Sequence, residues 1–335
     1  MRIGLALPHY GFSFPGSEPL TWPGLLDATT RAEALGFDSA WISDHFFLDI
    51  ERYGGPPGLS GTPELFTALA ALAASTRLIR LGTLVACAPF RHPAHVAKMA
   101  TAIDLLSGGR LELGIGGGWY QREFEAFAYR FGTTGDRFAA LEEQVQAVRA
   151  LFGEEPVDLD GRFVRLSGAF NRPLPAQRGG PPIWIGGKGG DRLLRLVVRH
   201  GSGWNTVWRW SLRDYAARVE ALRRLSAAAG RDPRSIRLSL GLYSLVGEDE
   251  ADLRERFRAM QRWMPGAALD GTTIEEFATN TLTGTVEDCA GQLARWAEVG
   301  VEEFIVSAAP LPFAVCDWSM VELIANRLIP EAHSL

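Results

Sequence analysis

Short apolar runs alternate with helix-forming stretches along the whole chain, and this alternation limits the fold more than any single motif does. The runs are Ile3–Leu7, Ser39–Ser43, Ile79–Val85, Leu111–Ile115, Ile183–Ile185, Gly203–Trp208, Arg237–Val246 and Glu303–Ser307. Helical patterns cover Leu25–Leu35, Pro63–Ala74, Ala94–Leu106, Arg137–Phe152, Arg192–His200, Leu212–Ala229, Ala251–Trp263 and Val286–Val299, and a last one closes at Ser319–Leu328. Strands this continuously apolar are buried on both faces, which implies a parallel sheet covered by helices. Eight strand–helix units are the number that closes a TIM (β/α)8 barrel, and an open doubly wound α/β sheet is the competing architecture.

Three segments interrupt the alternation: residues 46–62, 154–182 and 265–284. The first is rich in Gly and Pro. The second carries a hairpin signal around Asp160-Gly161. Long excursions from a compact fold usually wall a binding site. Nothing reads as a domain linker or repeat, so the expectation is a single domain over residues 1–335. Thr285 and Asp288 have the spacing of a capping box, and Gly300 follows as the helix stop. His200 sits at a helix C-terminus, where a histidine complements the dipole and is structural.

Composition excludes several classes of function. A net charge of −5, with no block of basic residues, argues against a nucleic-acid surface. Cys87, Cys289 and Cys316 are scattered and odd in number, which fits a reducing compartment better than a disulfide framework. The apolar stretch Ile3–Leu7 ends at Pro8-His9, short of a signal-peptide core, and no run reaches membrane-spanning length. The expectation is a soluble cytoplasmic protein.

Two glycine-rich turns carry the chemistry: Gly114-Ile115-Gly116-Gly117-Gly118-Trp119 and Gly186-Gly187-Lys188-Gly189-Gly190. Each follows an apolar run and opens a helix. Glycine admits close backbone approach, and a helix N-terminus offers free N–H groups to an anion. Neither turn matches G-x-G-x-x-G, because Trp119 and Arg192 replace the third glycine; the plainer reading is a tight strand-to-helix turn. The chain has only two lysines, Lys98 and Lys188, and the second lies inside the second turn, well placed for phosphate.

In a barrel of this type the active site lies at the C-terminal ends of the strands. There Asp44-His45 is the best acid–base candidate, with a loop cap as its plain alternative. His9 and Cys87 exit neighbouring strands, and a free cysteine there is more often a small buried apolar residue than a nucleophile. His92 and His95 have a spacing that could share a helix face, but Pro93 makes them first-turn residues and no acidic cluster completes a metal set. Trp119 and Trp204 could wall a planar cofactor or pack in the core.

These segments together resemble the bacterial luciferase-like superfamily, and most closely its deazaflavin-dependent branch. The matching stretches are Ala34–Ser39 through Asp44-His45, Arg80–Thr83, Arg91-His92-Pro93, Ser107 through Trp119, Pro182–Gly187 and Gly203-Trp204-Asn205. The resemblance implies a TIM barrel with an insertion after the fourth unit, coenzyme F420 or alternatively FMN, a small-molecule substrate and a homodimer. It implies His45 as proton donor and Asp44 against the ring, with Leu84, Val85 and Cys87 along the ring face. Gly117, Gly118 and Arg122 would lie near the ring or ribityl chain, and Gly187, Lys188, Gly189 and Gly190 around the phosphate. A non-proline cis peptide after the third strand is common in that branch; the matching bond is Leu84–Val85. With F420 the reaction is hydride transfer to or from an organic substrate, and with FMN a monooxygenation. Trp119 stands where the sugar-phosphate-oxidising branch has an acidic residue, and Asp49 where it has an aromatic one, which points to a less polar substrate.

Overall fold

A computed structural model describes residues 1–14 and 20–335. Every expected apolar run forms a barrel strand: β1 (Arg2–Ala6), β2 (Ser39–Ile42), β3 (Arg80–Thr83) and β4 (Leu111–Gly116). The second half continues with β5 (Ile183–Gly186), β6 (Gly203–Trp208), β7 (Arg237–Gly247) and β8 (Glu303–Ser307). Neighbours pair in parallel around the ring, β8 pairs with β1, and β4 pairs with β5, so the sheet closes. The expected TIM barrel is present, and the open sheet is excluded.

The helices form the outer layer. The first half contributes α1 (Trp22–Ala34), α2 (Leu65–Ser75), α3 (Pro93–Ser107), α4 (Gln121–Ala126) and α5 (Thr134–Leu151). The second contributes α6 (Asp191–His200), α7 (Leu212–Ala228), α8 (Glu250–Trp263), α9 (Ile274–Ala278) and α10 (Val286–Val299). The Thr285–Asp288 capping box forms at α10, and Gly300 ends that helix with φ of 108°. His92 caps α3, its Nδ1 accepting from the Ala94 amide at 3.2 Å, and that bond accounts for the residue.

The three interruptions each hold regular structure. Phe47–Asp49 and Leu59–Gly61 form an antiparallel ribbon beside the second unit. Val157–Asp160 and Arg165–Ala169 form the hairpin expected at Asp160-Gly161. The third segment contains α9 and a strand, Leu282–Thr285, that pairs in parallel with the far end of β7. Sequence reading gave no sign of that strand.

Inside the barrel, Trp41 and Trp184 meet edge to face at 6.5 Å and are wholly buried. Their indoles occupy the space that side chains at Gly82 and Gly203 would need: a Cβ there would lie 2.1 Å and 2.3 Å from the rings. Below them, residues at the strand starts form an ionic floor. Glu112 binds Arg80 at 2.6 Å, Arg2 at 3.3 Å and Arg237 at 3.5 Å, and accepts the Trp184 indole N–H at 2.7 Å. Glu303 pairs with Arg2 at 2.7 Å and accepts from the Ser39 hydroxyl. Buried charges persist only when paired, and each of these carboxylates faces at least one arginine.

Candidate active site

The opposite end of the barrel opens into a cavity of about 650 Å3, within the range of small-molecule and cofactor sites. Asp44, His45, Leu84, Val85, Cys87, Gly117, Gly118 and residues 187–190 all line it, so most of the expected site residues meet in one place. The structure places Arg122 elsewhere. Its guanidinium is exposed and pairs with Asp49 at 2.8 Å, because the first turn of α4 faces the surface ribbon.

Asp44 and His45 leave β2 in opposite directions. Asp44 is buried and gripped by Arg91 through two bonds of 2.6 and 2.9 Å, and it accepts the Cys87 amide at 2.8 Å. Burial raises its carboxyl above the usual range, and the Arg91 pair opposes that shift. His45 turns instead to Glu123, with Nδ1 2.7 Å from Oε2. The other Glu123 oxygen accepts the Phe46 amide and, at 3.1 Å, the Phe47 amide. Glu123 is itself wholly buried. Sequence reading missed Glu123 and Arg91 as site residues. Glu123 lies 78 residues from its partner and sits in a short helix without apolar periodicity, so no local signal marks it.

His9 lies beneath the cavity, not in its wall. Its Nδ1 donates to the Leu7 carbonyl at 2.8 Å, and Nε2 accepts the Ser43 amide at 3.1 Å, which ties β1 to β2. Burial pushes this imidazole down to about 3, so it stays neutral. Tyr10, which does line the cavity, bonds the Ser43 hydroxyl at 2.6 Å. The Cys87 thiol is buried and pushed up, which suits a packing role rather than a nucleophile.

The Leu84–Val85 peptide is cis. Val85 then lies over the glycines of the neighbouring strands: a Cβ on Gly116 or Gly186 would come within 2.6 or 2.8 Å of its methyls. A Cβ on Gly114 would meet the Thr83 carbonyl at 2.2 Å. The first glycine turn therefore serves close approach of the chain at Thr83–Val85 as much as approach of a ligand.

The second glycine turn forms a nest of amides. Every other described helix of ten or more residues starts with a side-chain cap, but α6 starts at Gly190 with none. Among the described residues, the amides of Lys188, Gly189 and Gly190 have no protein acceptor, while the Gly187 amide donates to the Asn205 carbonyl at 3.0 Å. Gly187 thus contributes space rather than a donor. Lys188 Nζ donates to the Val207 carbonyl at 2.8 Å across the same mouth. Arg137, also unanticipated from sequence, lines the cavity with its backbone beside Gly117 and its guanidinium over the Phe131 ring. Trp204 is buried core, stacked on Tyr215 at 5.1 Å, and its indole N–H props the nest by donating to the Gly187 carbonyl.

The end nearest His45 is aromatic. Trp119 stands edge-on to the imidazole at 5.4 Å, and Arg52 lies 4.1 Å over the Trp119 ring. The Tyr120 hydroxyl is buried there with no partner among the described residues.

A closed (β/α)8 barrel thus brings a carboxylate-backed histidine and an uncapped helix N-terminus into one cavity. The family model described as luciferase-like monooxygenase matches residues 1–303. The chain belongs to that family. It is 30% identical over 320 residues to the F420-dependent hydroxymycolic acid dehydrogenase of Mycobacterium tuberculosis, covering 93% of this chain and 81% of that protein. It is 34% identical over 222 residues to the F420-dependent glucose-6-phosphate dehydrogenase of Nocardia farcinica, covering 63% and 61%. Among solved structures it is similar to an F420-dependent secondary alcohol dehydrogenase in complex with an F420-acetone adduct, with a TM-score of 0.76, 19% identity and coverage of 99% and 98%.

Proposed function

We propose that this protein is a coenzyme F420-dependent oxidoreductase that exchanges a hydride with a small, largely apolar alcohol or carbonyl compound. The observation that carries this reading is the placement of His45 and the uncapped start of α6 in one cavity. The F420-dependent relatives support the choice of cofactor over FMN.

The residues present fit the cofactor. The unpartnered amides of Lys188, Gly189 and Gly190, with the Lys188 ammonium across the same mouth, are donors of the kind a phosphodiester requires. Val85 and the glycines below it offer a flat, apolar face for a planar ring. When bound, the deazaflavin supplies two-electron hydride chemistry and is a poor partner for oxygen. The protein supplies the rest. Asp44, locked by Arg91, fixes the wall beside Cys87. Tyr10, Tyr53, Trp208 and Phe313 exclude water from the end where His45 holds or delivers a proton. That aromatic wall favours apolar substrates over sugar phosphates.

Titration of purified protein with F420 and with FMN, followed by fluorescence, tests the reading. Binding of F420 with FMN weaker by at least an order of magnitude is expected; the reverse preference overturns it. No described helix is long and apolar enough to cross a membrane. The family resemblance supports one luciferase-like domain over residues 1–335 and a cytoplasmic homodimer, and sedimentation tests the latter.

A further inference from the structure

We propose that Glu123 is a positioning residue that decides which nitrogen of His45 exchanges the substrate proton. This rests on the reading of His45 as the proton-exchanging group. Both oxygens of the buried Glu123 carboxylate face N–H groups: Oε1 accepts the Phe46 and Phe47 amides, and Oε2 faces His45 Nδ1 at 2.7 Å. A carboxylate has only acceptors to offer, so Nδ1 carries the hydrogen and neutral His45 keeps its lone pair on Nε2. The step is a proton transfer. The substrate O–H bond breaks, an Nε2–H bond forms, and the imidazolium charge is paired with Glu123. In the reverse direction Nε2 returns the proton to the oxygen.

The two backbone amides make this arrangement testable with a nearly isosteric change. In Glu123→Gln the side-chain carbonyl must take the Oε1 position, because the amide NH2 cannot face two N–H donors. The NH2 then donates to Nδ1, and the His45 hydrogen moves to Nε2. The side-chain volume is nearly unchanged, but the lone pair that should accept the substrate proton is gone. A comparable carboxylate-to-amide exchange behind a catalytic histidine lowers turnover by about 10⁴ through the wrong tautomer.

Long-range 15N–1H spectra of the labelled protein, with His45 assigned by comparison with His45→Gln, read the tautomer directly without cofactor. The wild type is expected to show Nδ1–H and Glu123→Gln to show Nε2–H. Alcohol oxidation in the variant should fall by about 10³-fold or more, with F420 affinity within threefold of the wild type. An unchanged tautomer in the variant, or a changed one with less than a tenfold loss of turnover, overturns the proposal. A variant that fails to fold leaves the wild-type spectrum to decide: Nε2–H there overturns it equally. If the wild type lacks F420 turnover altogether, the functional reading fails while the tautomer spectra still judge Glu123.

Discussion

Arg91 holds Asp44 through both terminal nitrogens, at 2.6 and 2.9 Å, and its second nitrogen also reaches Glu64 at 2.6 Å. Glu64 caps α2, and the Arg91 carbonyl accepts from Gln144 of α5 at 3.1 Å. One residue thus fastens the wall of the cavity to two helices, through its side chain to α2 and through its backbone carbonyl to α5.

Arg91→Ala should leave the buried Asp44 carboxylate unpaired, at a cost of about 3–5 kcal/mol. Arg91→Lys keeps the charge but loses the fork, so its cost should be smaller. Urea unfolding checks both. Protonating Asp44 relieves the unpaired charge, so the gap between Arg91→Ala and wild type should narrow as the pH is lowered from 7 towards 4.

His9 should make stability fall on the acid side. Its folded value is about 3 against 6.5 when unfolded, so the unfolded chain binds the extra proton below 6.5. This contribution is complete above 6.5 and is lost as the pH falls towards 3, amounting to about 2–3 kcal/mol between pH 7 and 4.5. Unfolding curves at the two pH values should show a shallower dependence in His9→Gln.

Gly190→Asp should trade function for stability. The backbone there is extended and a Cβ meets nothing within 4 Å, so aspartate fits and caps α6. Stability should rise by about 0.5–1 kcal/mol. Affinity for F420 should drop at least tenfold, whereas Gly190→Ala should leave it nearly unchanged. Lys188→Ala should weaken binding with a loss that shrinks at high salt. Thermal melts and fluorescence titrations separate these outcomes.

Glu112→Gln should affect stability alone. It removes the charge that serves Arg2, Arg80 and Arg237, all partly exposed, so a cost of about 2–3 kcal/mol is expected. Because the floor lies at the far end of the barrel from His45, KM and kcat should remain at wild-type values.

The barrel was legible because each strand is an apolar run long enough to be buried on both faces. Asp44, His45 and the Lys188 turn were legible because strand ends and helix starts are local features. Glu123, Arg91 and Arg137 were not, since their roles exist only once the ring closes and brings distant residues together. Trp204 shows the same limit from the other side: its position at a strand exit left a cofactor wall and core packing equally open, and it stacks on Tyr215 in the core. The strand Leu282–Thr285 escaped notice because it pairs with the overhang of β7, beyond the barrel ring.

The ribbon of residues 47–61 brings Arg52 and Tyr53 to the entrance, and the Arg122–Asp49 pair ties it to α4. No residue of the amide nest comes from it, and the histidine–carboxylate pair touches only its first residue, Phe47, whose amide donates to Glu123. Swapping this flap beyond Phe47 between related enzymes would therefore redirect which molecules are admitted while the hydride machinery stays as it is, with the Arg122–Asp49 pair as its fastening to α4.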